Sequence, residues 1–490
     1  MKMDIRTVRT TVDHLWRKEI LPSLSGLVAI PALSPAFDPD WTHSGHLDAA
    51  VHHLKAWIEE RALTGVTTEV VRVGEASPLL LVDLPATPGA EDQGTVLCYG
   101  HLDKQPPLEG WSPGLGPWLP VIRDGRLFGR GSADDGYAGY AAVTAVQAAR
   151  AAGGRHARVV LLLETGEESG SPDLATYLDH LERQLGSVTL VLCLDSGARD
   201  HDSLWLTTSL RGLANLRVTV RVLDGPLHSG VAGGVVPCSF RILRELLGRI
   251  ENAATGEILL PELVATIPPH RRAEARAAVA ALGSPQLPQV AGMRLMAEDQ
   301  LELVLNNSWR PALSVTGAAG LPDTANAGNV HRPSTTLALS LRLPPTVDST
   351  TAVAALTQAL RTDVPYGATV EIEPGDHASG WAAPPHAAWL TTALDSVARE
   401  VFSAPCQGIG AGGTIPFMAM LAQRFPEAEF VVTGAMDPHS RAHAPDESLH
   451  LGLAQRLTEA IAVLLNAHAA RTGPGGGGGT APGDVRSGLI

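Results

Sequence analysis

The sequence predicts an α/β protein: a principal domain with a mostly parallel sheet flanked by helices, interrupted by an inserted α+β domain. Three observations carry this. Four short apolar runs, Thr95 to Tyr99, Val159 to Glu164, Val188 to Leu194 and Phe430 to Thr433, have the continuous hydrophobicity of strands buried on both faces. Helical stretches, including the alanine-rich Gly139 to Ala152, separate the first three, and strand–helix alternation is the signature of parallel pairing. The middle of the chain follows a different pattern. Leu337, Leu339, Leu341 and Leu343 are apolar while Ser340 and Arg342 face the other way, as in a strand with one wet face.

The length agrees with two units, because 490 residues exceed what one ordinary core organises. Residues 1–210 and 382–470 are expected to form the principal domain and residues 211–381 the insertion. Within the insertion, apolar alternation recurs from Leu216 to Val222, and helices are predicted at Ser239 to Glu251 and Thr350 to Arg361. The prolines of Thr255 to Pro311 and its charged stretch His270 to Arg276 read as an elaborated surface of the insertion. Residues 471–490, with Gly475 to Gly479 in a row, cannot bury apolar surface and are expected to be a disordered tail.

Hydrophobic residues at 44 % and charged residues at 18 % fit a globular chain, and no apolar run is long enough for a membrane-spanning helix. The formal net charge of −14 comes without a concentrated basic stretch, which argues against nucleic acid or anionic membrane as a partner. Met1 to Lys18 lacks the apolar core and cleavage site of a signal peptide, so the expected compartment is the cytoplasm. The four cysteines, Cys98, Cys193, Cys238 and Cys406, have no close spacing and are read as buried thiols.

Parallel sheets bind ligands beyond the carboxyl ends of their strands, and residues that carry chemistry gather there. Gly100-His101-Leu102-Asp103 closes the first run: the histidine can hold a metal, and the aspartate can bind its other ring nitrogen and fix the tautomer. The second run ends in Glu164-Thr165-Gly166-Glu167-Glu168 and the third at Asp195. Unpaired carboxylates on one edge repel one another and lose hydration, so positive charge must sit among them. Gly129-Arg130-Gly131-Ser132-Ala133-Asp134-Asp135-Gly136 permits tight turns and can aim an aspartate at the same place, although Asp is also an ordinary helix cap. After the fourth run, the stretch His439 to Glu447 supplies histidines, with His443 the chosen ligand and His439 a more peripheral residue. Two histidines and several carboxylates suit zinc, with manganese or cobalt accepted by the same donors, and the set is large enough for two metals.

At these residues the chain resembles the dinuclear-zinc metallopeptidase family of carnosinase-like cytosolic dipeptidases, aminoacylases and bacterial-type glutamate carboxypeptidases. The motifs arrive in the family's order up to about His468: Gly100 to Asp103, Gly129 to Gly131 with Asp134-Asp135, Glu167-Glu168, Asp195, His228 within Leu227-His228-Ser229-Gly230, and Ala442-His443-Ala444-Pro445. The resemblance implies that the principal domain is catalytic and that the insertion is a lid and dimerisation domain of a homodimer. It implies that His101 and Asp195 bind one divalent metal, Glu168 and His443 a second, and that Asp134 bridges them. Glu167 would be the general base, and Asp103 would orient His101. A cis peptide between Asp134 and Asp135 is expected. His228 would reach the partner subunit's site to stabilise the oxyanion, Arg342 would hold a substrate carboxylate, and His377 and Thr414 would contact substrate.

The chain departs from the family where Asp135 is followed by Gly136 and Tyr137 rather than Lys-Gly, which bears on the pocket wall and not on the ligands. The implied activity is cleavage of a dipeptide or a similar small amide. An aminoacylase or N-acyl amino-acid deacylase is the nearest rival; Tyr99 to Pro107, Leu227 to Gly234 and Arg342 favour the dipeptidase. A binding protein that has lost its chemistry is disfavoured because every proposed ligand and the base are present. A nucleotide-binding α/β protein is disfavoured because no glycine-rich phosphate loop follows a first strand.

Overall fold

The computed structural model describes residues 3–282 and 289–471. The tail expected from residue 471 onward lies, past Arg471 itself, outside the described residues. All four apolar runs are strands of one six-stranded sheet, ordered Thr67–Val71, Leu79–Leu84, Arg158–Glu164, Thr95–His101, Val188–Cys193, Glu429–Val432. The last four are mutually parallel, and the first two add an antiparallel edge.

Successive strand residues point to opposite faces, and both faces are covered. Val96, Cys98, Leu161, Leu163, Leu190 and Leu192 pack with helices Ile5–Leu15, Ala138–Ala151 and Leu451–Ala470. Leu97, Tyr99, Val160, Leu162, Val191 and Cys193 pack with Leu174–His180 and Pro416–Arg424. Burial on both sides is why these runs are continuous in sequence rather than alternating.

Within residues 211–381 lies a four-stranded antiparallel sheet, ordered Ala312–Ala319, Ser334–Leu343, Gly212–Arg221, Thr369–Ala378. Leu337, Leu339, Leu341 and Leu343 form a core with helices Ser239–Leu247 and Ser349–Arg361, while Ser340 and Arg342 occupy the other face. This core is separate from the two around the large sheet. The strands Trp205–Leu210 and Trp381–Ala382 pair antiparallel just outside it, and Gln407–Ala411 lies parallel on the other side of Trp205–Leu210.

Two sequence expectations need correction. Thr255 to Pro311 is more than a surface elaboration, because its helix Pro269–Leu282 lies against strand Gln407–Ala411. The charges that suggested a wet surface partly satisfy one another: Arg271 is buried, pairs with Glu274 at 2.7 Å and donates to the Ala383 carbonyl, while Thr208 Oγ1 donates to Glu274 Oε2 at 3.0 Å. The four thiols are free, but only Cys98 and Cys193 are buried; Cys238 is exposed and Cys406 half-buried. Cys238 is the N-cap of helix Ser239–Leu247, and its side chain makes no capping hydrogen bond. No described helix is long and apolar enough to cross a membrane.

Candidate metal centre

The parallel strands bring their carboxyl ends to one edge. His101 is the last residue of its strand and fully buried. Its Nε2 lies 3.3 Å from Asp134 Oδ1 and 4.0 Å from both Glu167 Oε2 and Asp195 Oδ1. Its Nδ1 lies 3.4 Å from Asp103 Oδ1 and 3.1 Å from the Asp103 carbonyl, two acceptors that keep the proton on Nδ1 and turn the Nε2 lone pair to the other carboxylates. Opposite, His443 Nε2 lies 2.9 Å from Asp134 Oδ2 and 3.2 Å from Glu168 Oε2. Asp134 therefore presents one oxygen to each histidine. Ligand atoms of His101, Asp134 and Glu168 fall within 4.8 Å of one another, as do those of His101, Glu167 and Asp195.

The segments that carry Glu167 and Glu168, Asp134, and His443 are each tied down by a buried carboxylate accepting backbone N–H groups. Asp103 accepts from the N–H of Glu167 at 3.2 Å and of Glu168 at 3.0 Å, so one residue fixes both His101 and the glutamate turn. Glu447 Oε1 accepts from the N–H of Gly131 at 3.0 Å, Ala133 at 3.3 Å and Asp134 at 3.4 Å, and its Oε2 pairs with buried Arg130 at 2.7 Å. Within that loop the Asp134–Asp135 peptide is cis. Asp437 accepts from His439 N–H at 2.8 Å and from both Arg126 Nη atoms at 2.8 and 2.9 Å, and lies 2.7 Å from His201 Nε2. The segment it anchors winds tightly, with Arg441, His443 and Asp446 at φ of 53°, 60° and 65°, left-handed values that non-glycine residues adopt only when their surroundings enforce them. Gly434 lets that segment pass the Asp195 loop, since a Cβ there would lie 1.9 Å from the Ser196 carbonyl oxygen.

Crowding shows in the protonation equilibria. Burial first, then the Asp195 carboxylate, holds Glu167 well above the usual carboxylate range. Burial, opposed by His101 and reinforced by Asp134 and Glu168, pushes Asp195 up to about 8. Although burial opposes it, Asp103 and Asp134 hold His101 well above the ordinary imidazole value, and Asp134 and Glu168 raise His443 to about 11. None of Asp134, Glu167, Glu168 and Asp195 forms an ion pair with a described lysine or arginine; Gln105 Nε2 donates to Glu168 Oε2 at 2.5 Å. Only the two imidazoles answer these acids, and imidazole nitrogens facing carboxylate oxygens are the donors that zinc and similar divalent ions take.

The remaining predicted residues divide. Arg342 Nη1 donates to Thr414 Oγ1 at 2.9 Å, and Thr414 Oγ1 donates to the Arg211 carbonyl at 2.6 Å. Thr414 joins Asp134, Glu167, Asp195 and His443 around a cavity of about 360 Å³ over the metal edge. His377 is not brought to this pair: it aligns with Ala214 on the opposite face of its sheet, exposed, with Nδ1 3.0 Å from Ser349 Oγ. His228 is exposed in a two-stranded ribbon with Val330–His331, accepts from Gly230 N–H at 3.1 Å, and touches none of the metal-edge residues.

Sequence reasoning missed the anchors Glu447 with Arg130, and Asp437 with Arg126. Their one signal is charge inside segments that must be buried to deliver Asp134 and His443. Replacing Glu447 by Gln leaves buried Arg130 without its counter-charge, a loss that costs about 3–5 kcal/mol where a buried pair is broken. A markedly lower melting temperature is expected, together with about tenfold or greater loss of metal affinity from the loosened Asp134 loop. Calorimetry and metal titration check this; affinity equal to wild type would remove Glu447 from the positioning of Asp134.

The family model for Peptidase family M20/M25/M40 matches residues 97–468, which include every residue at the metal edge. The chain belongs to that family. Among curated relatives of this M20 chain, the cysteinylglycine-S-conjugate dipeptidase of Corynebacterium striatum is 26 % identical over 442 residues, covering 88 % of this chain and 92 % of that protein. The human Beta-Ala-His dipeptidase is 26 % identical over 272 residues, 55 % of this chain and 53 % of that one. The fold matches the di-peptidase Dug1p from Saccharomyces cerevisiae with a TM-score of 0.71 at 22 % identity, over 96 % of this chain and 99 % of that one. Human carnosine dipeptidase 1 gives 0.71 at 21 % identity, over 95 % and 98 %.

Proposed function

We propose that this M20 chain hydrolyses the amide bond of dipeptides or similar small substrates with a free carboxylate, using two divalent metal ions and Glu167 as general base. The observation that carries the reading is Asp134, which turns one oxygen toward His101 and the other toward His443, with Asp195 and Glu168 beside them. In this reading His101 and Asp195 hold one ion, Glu168 and His443 the other, and Asp134 both; zinc suits the donors best, with manganese or cobalt as alternatives. Such ions, when bound, make water nucleophilic at neutral pH and polarise the scissile carbonyl.

The chain's own residues do the rest. Glu167, beside the ligands on a turn fixed by Asp103, accepts the proton from water and returns it to the leaving amine. Asp103 holds His101 in the tautomer that leaves Nε2 free. Arg342, steadied by Thr414, binds the substrate carboxylate, and His377 is left out of that contact. Exposed His228 serves the partner subunit's site in a homodimer, as an oxyanion donor. The names of the relatives support a dipeptide as substrate.

Paired assays test the substrate class. A free dipeptide should exceed its N-acetyl amino-acid counterpart by tenfold or more in kcat/KM, on the order of one lost charge-assisted contact. The reverse preference would identify an N-acyl amino-acid deacylase on the same scaffold.

A further inference from the structure

Arg199 is a cation that the proposed chemistry does not use. It stands on the loop between Asp195 and strand Trp205–Leu210 and lines the same cavity as Asp134, Glu167, Asp195, Thr414 and His443. It forms no hydrogen bond or ion pair with any described residue. Arg126 is committed to Asp437, Arg130 to Glu447, Arg441 to Asp446 and Arg211 to the Gly412 carbonyl at 3.1 Å, while Arg342, on Thr414, is already assigned the first substrate carboxylate.

The loop backbone is pinned on either side of Arg199, whose own side chain is exposed. Ala198 is buried and its N–H donates to the Met436 carbonyl at 2.9 Å, while His201 is held by Asp437 at 2.7 Å. The adjacent acid is occupied: Asp200 Oδ1 accepts the N–H groups of Asp202 and Ser203, each at 2.8 Å. The carboxylates on the cavity floor are the proposed metal ligands and base, so their charge is answered there. Leu210, Ile415 and Met436 supply apolar wall, which strengthens any charge pair formed against it. One substrate carboxylate is assigned to Arg342, which meets this cavity through Thr414, and the unpaired guanidinium of Arg199 on the cavity wall suits a second anion.

We propose that Arg199 is a specificity-determining residue that binds a second carboxylate, so that the preferred substrates are acidic dipeptides or amino acids acylated by a dicarboxylic acid. This rests on the cavity being the amide-hydrolysing site.

The test uses the metal-loaded full chain and two readouts. Hydrolysis is compared for Glu-Gly against Gln-Gly and for Gly-Glu against Gly-Gln, isosteric pairs that differ by one charge. Wild type should favour the acidic member of one pair by about tenfold or more in kcat/KM, and Arg199→Gln should level that pair by slowing the acidic member alone. Arg199→Lys should keep part of the preference. Binding of glutarate against its monoamide, followed by calorimetry, needs no turnover: the dicarboxylate should bind about tenfold tighter to wild type and equally to Arg199→Gln. Equal handling of charged and neutral members by wild type in both readouts would overturn the proposal, as would an Arg199→Gln protein that slows both members alike. Failure to hydrolyse any dipeptide, with the glutarate preference intact, would instead strike the proposed reaction and leave Arg199 as an anion site.

Discussion

Glu167→Gln leaves a folded protein that still binds metal, and lowers kcat by on the order of a hundredfold or more, the contribution typical of a positioned acid–base group. The amide matches the carboxylate in size but cannot accept the proton of water. The turn that carries it survives, because Asp103 grips the backbone N–H of residues 167 and 168 and not the side chain. Metal content measured beside kcat decides the assignment: if Glu167→Gln arrives without metal, residue 167 is a ligand and the base lies elsewhere. The same variant tests the role of His228. His228→Ala should also be inactive, and mixing the two inactive proteins under conditions that exchange subunits should restore up to about half of wild-type activity per heterodimer, since one of its two sites then has neither defect. A mixture kept from exchanging is the control. Confirmed heterodimers without recovery would mean that His228 acts in its own subunit or not at all.

Exhaustive chelation abolishes turnover and lowers the melting temperature, and zinc, manganese or cobalt restores both. Stability moves with activity because the ions bind the folded state alone and relieve the repulsion among Asp134, Glu168 and Asp195, groups that burial and mutual charge otherwise disturb. At a hundredfold excess of free metal over Kd the gain is about 2.7 kcal/mol per site. Full turnover in protein shown metal-free by elemental analysis would end the metallohydrolase reading.

Much of this was legible in the sequence for one physical reason. Strands buried on both faces cannot afford polar residues, so Thr95–His101, Arg158–Glu164 and Val188–Cys193 appear as unbroken apolar runs, and the charged residues that end them stand out. The antiparallel edge was harder to see, because Thr67–Val71 is largely exposed and mixes Thr and Glu with its valines. Long-range partners were invisible. That Glu447 reaches the Asp134 loop, that Asp437 ties Arg126 to His201, and that His377 turns to Ser349 rather than toward Arg342 are facts of tertiary packing with no local pattern. Arg199 was overlooked for the opposite reason: one arginine in a polar loop looks like any solvated charge until the cavity around it is seen.

The pairing of Leu210 with Trp381 has a topological consequence. The chain leaves toward the antiparallel sheet and comes back paired to its point of departure, so the three-stranded sheet there holds the whole excursion as if it were a hairpin. Closing a longer loop there is cheap, each doubling of its length costing only about 0.6 kcal/mol, and the excursion carries an apolar nucleus of its own around Leu339 and Leu356. A graft at this junction, shorter or longer, would leave the path of the parallel strands unchanged while replacing the antiparallel sheet and its core.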